Sequence, residues 1–202
     1  MRRVIFLISA LFITISGYCQ TESEYFKSAL TKFQSEDYLG AIAEYTKVLE
    51  LNPKSSRAFT SRGSCKSELK NYREAILDFD RAIELDPTNI MAFLCRANAK
   101  LDLEEFFNAI ADFNKIIELN PQDYGALSGR GSAKLELEDY RGAIQDFNKA
   151  IELNPKSSWT YFKRGRAKYS LNDKEGACMD WSRAGELGDA DAYNWIKDYC
   201  NN

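Results

Sequence analysis

The chain contains no histidine, which removes the commonest general base and the commonest metal ligand of proteins. Neither a Ser-His-Asp nor a Cys-His arrangement can be written from it, nor an HExxH zinc motif. Its 11 glycines form no GxxxxGK phosphate-cradling loop. Basic charge is in deficit, with 27 Lys and Arg against 30 Asp and Glu, so there is no electrostatic case for nucleic acid. Long apolar runs are missing too. The longest, Val4 to Ile15, is interrupted by Ser9 and Thr14 and is too short for a comfortable membrane span. Proline is scarce, with four residues in 202: Pro53, Pro87, Pro121 and Pro155, each 34 after the last.

The apolar run follows Arg2 and Arg3 and precedes Ser16, Gly17, Tyr18 and Cys19. A positive start, a short apolar middle and small residues after it describe a secretory signal peptide. The expected signal is residues 1–19, with cleavage after Cys19 and a mature chain from Gln20, exported to the periplasm or the exterior. In the competing reading Cys19 is lipidated and tethers the protein, although Tyr18 is bulky for such a cleavage site. Membrane contact is expected only if the signal is retained or Cys19 carries lipid. Loss of Arg2 and Arg3 leaves 27 − 2 = 25 basic residues and a net charge of 25 − 30 = −5. About 180 residues remain, enough to bury a core without a metal or an obligatory disulfide. They retain Cys65, Cys95, Cys178 and Cys200, an even count that permits bridges in an exported chain.

What recurs with the prolines is a phrase: VLELNP, AIELDP, IIELNP and AIELNP, ending at Pro53, Pro87, Pro121 and Pro155. Rows of 34 residues starting at Glu22 align much more. One column reads Ala41, Ala75, Ala109, Ala143, Ala177, and another Ala29, Gly63, Ala97, Gly131, Gly165. A third is always aromatic: Tyr45, Phe79, Phe113, Phe147, Trp181. Tyr38, Tyr72, Phe106 and Tyr140 form a fourth, which lapses to Lys174 in the last row.

Each row predicts two helices. In the second, Ala143, Ile144, Phe147, Ala150, Ile151 and Leu153 recur at steps of three and four, one apolar face of a 3.6-residue period. Phe93, Ala97 and Lys100, with Leu101 and Leu103, mark a stripe on a first helix. Asp37, Asn71, Glu105, Asp139 and Asp173 stand where the second helices begin, and Asn71 with Glu74 has the form of a capping box. Proline disfavours helical dihedrals in the residue before it, so Asn-Pro or Asp-Pro ends the second helix. Two residues on stand Ser55, Asn89, Asp123 and Ser157, each a preferred cap for the next helix, and Thr21 with Glu24 does the same for the first row. The repeated phrase is punctuation. Small residues let helix axes approach and aromatics fill the space between them. A lone pair of short helices cannot bury its faces, so each row must stack on the next.

These landmarks resemble the tetratricopeptide repeat, a 34-residue helix–turn–helix with small, Ala, aromatic and Pro positions. The likeness covers 22–191 as five tandem units, 22–55, 56–89, 90–123, 124–157 and 158–191. It implies an all-α, right-handed superhelical solenoid whose concave wall, built from the first helices, binds peptides or partner domains. The row departs from the commonest form at Arg62 with Lys66, Arg96 with Lys100, Arg130 with Lys134 and Arg164 with Lys168. These face Glu44, Asp78, Asp112, Asp146 and Asp180 on the second helices. A ladder of ion pairs that fixes register is expected; the other reading is a basic stripe recruiting an anion.

The fifth row has no proline. Gly188 can end its second helix, Asp189 or Asp191 can cap another, and Ala192, Trp195, Ile196 and Tyr199 recur at helical spacing, so a capping helix is expected over 189–200. Cys178 and Cys200 lie 11 residues to either side of Asp189. They would be level in an antiparallel pair turning there, and a bridge depends on whether their faces match. Cys65 and Cys95 are 30 apart rather than 34, an offset of about one turn, and are expected as buried free thiols.

With no catalytic constellation, the chain is expected to be a binding protein without cofactor or metal. The resemblance places Arg57, Thr60 and Ser64; Met91, Leu94, Asn98 and Leu101; Ser128, Ser132 and Leu135; and Trp159, Phe162, Lys163, Arg166 and Tyr169 in the groove. The middle is small and uncharged, the C-terminal end aromatic and basic. There Trp159, Phe162 and Tyr169 either meet a partner or pack under the capping helix. The basic-and-asparagine carboxylate clamp of chaperone-binding members is matched only by Asn98 and Lys163. The expected function is an envelope scaffold or adaptor for an unidentified protein or peptide. Two alternatives are a peptide- or glycan-recognition module of an assembly or secretion machine, and a homo-oligomer built through the groove or through Phe26, Leu30 and Phe33 at the uncovered first row.

Overall fold

The computed structural model describes residues 21–200; the expected signal peptide, its cleavage and the fate of Cys19 lie outside the described residues. The described chain is helical throughout. The first helices of the five units are α1 (Glu22–Gln34), α3 (Ser56–Glu68), α5 (Ile90–Asp102), α7 (Tyr124–Glu136) and α9 (Ser158–Ser170). The second helices are α2 (Tyr38–Leu51), α4 (Tyr72–Leu85), α6 (Phe106–Leu119), α8 (Tyr140–Leu153) and α10 (Lys174–Glu186), and α11 (Ala190–Tyr199) follows. Among the described residues no helix is long and apolar enough to cross a membrane.

The boundaries arise from local chemistry. Asn52, Asp86, Asn120 and Asn154 leave the second helices at φ of −134 to −141° and ψ of 85–93°, outside the helical region that the following proline disfavours. Thr21, Ser55, Asn89, Asp123 and Ser157 each accept a hydrogen bond from the amide three residues on, and Thr21 with Glu24 completes a capping box. The second helices are less uniform. Asp37, Asp139 and Asp173 accept from the amides of Gly40, Gly142 and Gly176, whereas Asn71 and Glu105 make no side-chain cap. The capping box expected at Asn71 and Glu74 does not form. The capping carboxylates sit so close to the glycines that an added Cβ would lie 2.1–2.3 Å from an oxygen. Asn71 and Glu105, the two starts without a cap, are followed by Glu74 and Asn108 in place of glycine. Between first and second helix the chain turns through Glu36, Lys70, Glu104, Glu138 and Asn172, all at φ of 59–63°.

The small columns let the axes close. Ala41, Ala75, Ala109, Ala143 and Ala177 are fully buried, and Tyr45, Phe79, Phe113, Phe147 and Trp181 fill the interior beside them. Phe79 lies so near Gly63, Phe147 so near Gly131 and Trp181 so near Gly165 that a Cβ would come within 2.5–2.8 Å of the ring. Each helix packs on its neighbours in sequence, and α3, α5, α7 and α9 also touch one another in turn, so the first helices form one continuous wall. Five stacked pairs make an α-helical solenoid.

The expected ion ladder is present and reaches further than its spacing suggested. Arg62, Arg96, Arg130 and Arg164 each donate through Nε and a terminal nitrogen to both oxygens of Asp78, Asp112, Asp146 and Asp180, with Nε–Oδ2 distances of 2.8–3.0 Å. Lys66, Lys100, Lys134 and Lys168 reach the same carboxylates at 2.6–2.8 Å. The remaining arginine nitrogen donates to Thr46, Asp80, Asn114 or Asn148 on the second helix of the preceding unit. Each guanidinium thereby ties three helices, using a planar fork that lysine lacks. In the first unit Ser28 stands where the arginine would be. Glu44 takes Lys32 at 2.8 Å and Lys47 at 3.7 Å instead, and the hydrogen bond from Lys32 chiefly holds its carboxyl below the usual range.

At the C-terminal end Gly188, at φ 98°, turns the chain, and Asp189 caps α11 by accepting from the amides of Asp191 and Ala192. The helix lies on α10, and a Cys178–Cys200 disulfide joins the two, with Cα atoms 5.9 Å apart. Cys65 and Cys95 are free; burial pushes the Cys65 thiol up to about 11 and that of Cys95 in the same direction.

Candidate functional site: the wall of first helices

The wall differs along its length because its side chains project to different depths. On α3, Arg57 is exposed and lies over the Phe26 ring at 4.3 Å, and Ser64 is half-buried with its hydroxyl 3.7 Å from Cys95 Sγ. On α5, Met91 and Asn98 are exposed, while Leu94 and Leu101 pack partly against the core around Phe113. Four of the expected groove residues are not on the surface. Thr60, Ser128, Ser132 and Leu135 are buried. Leu135 packs in the core around Phe147; the short side chains of Thr60, Ser128 and Ser132 do not reach past the contact with the next first helix, and two of them bond across it. Asn89 donates to the Thr60 hydroxyl at 3.1 Å, and the Ser128 and Thr160 hydroxyls lie 3.1 Å apart. They join units and are unavailable to a partner.

The aromatic end divides in two. Phe162 meets Trp195 edge-on at 5.6 Å, and Tyr169 lies 5.0 Å from Tyr199 and 5.8 Å from Trp181. These two pack under α11. Trp159, the second residue of α9, does not: it is 44% exposed, with Lys163 Nζ 5.5 Å from its ring. Beside it Lys163 and Arg166 converge on a single carboxylate of α7, that of Glu136, at 4.0 and 3.5 Å. Arg166 also lies over Trp195 at 5.9 Å. Burial foremost, and then the Arg166 guanidinium, hold the Lys163 ammonium below the usual lysine range, with Glu136 opposing. Two cations share one anion, and the ring next to them is open to solvent. Such a place can take a second carboxylate, or another anionic group, together with an apolar side chain laid on the indole.

The tetratricopeptide-repeat family models match residues 56–89 and 124–157 in one case and 25–55 in the other. No curated protein matches the chain by sequence. Among solved structures the chain is similar to MamA (residues 41 to the end) from Desulfovibrio magneticus RS-1, at 18% identity over 82% of this chain and 94% of that one, with a TM-score of 0.77. It is similar to YrrB, described as a TPR protein with an unusual peptide-binding site, at 21% identity over 93% and 97%, TM-score 0.74. It is also similar to TTC0263, a thermophilic TPR protein of Thermus thermophilus, at 14% identity over 89% and 99%, TM-score 0.69. At these identities the likeness is one of fold.

Proposed function

The chain is a tetratricopeptide-repeat protein, and from that premise we propose that it is a non-enzymatic scaffold of the cell envelope that holds a protein or peptide partner in the groove lined by its first helices. The fold supports a protein-interaction module. The envelope role extends from the charge and apolar pattern of residues 2–19. The observation that carries the choice of site is the cluster at the start of α9, an exposed Trp159 beside Lys163 and Arg166 with only Glu136 between them. Tryptophan and arginine are the side chains on which interfaces most often depend. YrrB, with its peptide-binding site, makes a peptide the first partner class to consider.

The test is affinity capture from envelope extract by the parent and by a Trp159→Ala/Arg166→Ala variant of unchanged helical content. Phe162 is left alone, because it supports α11. A partner held by the parent and lost by the variant supports the reading. Equal recovery by both would move the site elsewhere. A second reading, self-association through the first unit, draws on Leu30, 37% exposed beside a recess lined by Phe26 and Arg57. Mass measurement in solution across a concentration series distinguishes it.

A further inference from the structure

The twelfth residue of each first helix is large in four units, Phe33, Leu101, Leu135 and Tyr169, and is Ser67 in α3. In those four units it packs with the core of its own unit. Phe33 joins the Tyr45 cluster, Leu101 that of Phe113 and Leu135 that of Phe147, and Tyr169 lies against Trp181. Serine is too short to do this. A cavity of about 340 Å³ opens at that place between α3 and α5, with Phe79, Ala99 and Cys95 on its walls and Glu68 and Asp102 at its margin. Its size falls within the range of natural ligand pockets, from roughly 300 Å³ upward. The buried Ser67 hydroxyl oxygen also lines it and has no hydrogen-bond partner within the protein, alone among the buried side-chain polar atoms of the described residues. Buried polar groups are ordinarily paired. An unpaired one lining an open cavity marks a place for an incoming polar atom.

We propose that this cavity receives a tyrosine side chain of the groove's partner. The ring replaces the side chain that the other units supply, lying against Phe79 and Ala99. The phenol, donor and acceptor at once, pairs with Ser67. Leucine or phenylalanine would fill the space and leave that hydroxyl unsatisfied, a loss that discriminates strongly where a site is built to hydrogen-bond. The inference rests on the reading of the groove as the binding face, but its test needs no partner.

N-acetyltyrosinamide, N-acetylphenylalaninamide and N-acetylleucinamide are titrated into the full chain, with amide resonances of Ser64, Ser67, Cys95 and Asn98 followed by NMR. The expected result is saturable binding of the tyrosine amide at these residues, several-fold tighter than either comparator. Ser67→Ala should erase that preference. Ser67→Leu, which restores the residue type of Leu101 and Leu135, should abolish binding while raising the melting temperature, so lost binding cannot be ascribed to misfolding. Equal affinity for tyrosine and phenylalanine amides would overturn the proposal, as would unchanged binding by Ser67→Leu. Absence of saturable binding would overturn it too, and would leave the Trp159 site to its own test.

Discussion

At the residue scale, register is held by one charged triad per unit. Asp112 is 4% exposed in its side chain, Arg96 16% and Lys100 14%, so this is an interior arrangement in which every oxygen has a donor. Removing one member of such a group leaves charge buried without a partner, which costs about 3–5 kcal/mol. Asp112→Ala strands Lys100 and leaves Arg96 with Asp80 alone, and its expected loss in denaturant unfolding is about 3 kcal/mol. Lys100→Met keeps the bidentate arginine pair and should cost clearly less. Equal losses would show that the lysine, not the fork, carries the arrangement. The column pairing of Arg, Lys and acid was legible in the sequence, because four rows repeat it. The third bond of each arginine, to Thr46, Asp80, Asn114 or Asn148, was not. Those four residues share a column but not a chemical type, and only the stacking of units brings them within reach.

At the scale of the helix, beginnings and ends followed local rules wherever the deciding groups were adjacent in sequence. Pro53, Pro87, Pro121 and Pro155 with the caps two residues later located every restart. The second-helix starts were less legible, since an acceptor at the right position does not by itself make a cap. There the three aspartates, each with glycine three residues on, cap their helices, whereas Asn71 and Glu105, followed by Glu74 and Asn108, do not. The signal was present in the sequence, as Gly40, Gly142 and Gly176 against Glu74 and Asn108. The turns before these helices are strained in all five units, with non-glycine residues at positive φ. Glu138, exposed and at φ 63°, carries that conformation without compensation from packing. A left-handed L-residue is disfavoured by about 1–2 kcal/mol, while glycine adds entropy to the unfolded chain. Glu138→Gly is therefore expected to stabilise by about 0.5–1 kcal/mol. A loss on thermal or denaturant unfolding would mean the Glu138 side chain does something at the turn that its exposure does not reveal.

At the scale of the whole molecule, five units expose one wall of first helices, and α11 closes the far end with a disulfide and a nest of aromatic rings. Period, unit count and capping helix were all legible, because a repeat shows its own alignment. The surface was legible only in part. A column states which residues occupy equivalent places, but exposure depends on how far each side chain projects beyond its neighbour. That is why Ser128 and Ser132 vanish into the stack while Trp159 stands out, and why Ser67 leaves a hole. The central claim is that a partner sits on the wall of first helices at its C-terminal end. The most direct measurement places a photo-crosslinking benzophenone side chain at position 159 and, separately, at position 107. Phe107 is 76% exposed on α6, a second helix. Irradiation in intact cells is expected to join a discrete partner to position 159 and nothing discrete to position 107. Adducts at position 107 with none at position 159 would contradict the claim and assign the interaction to the second helices.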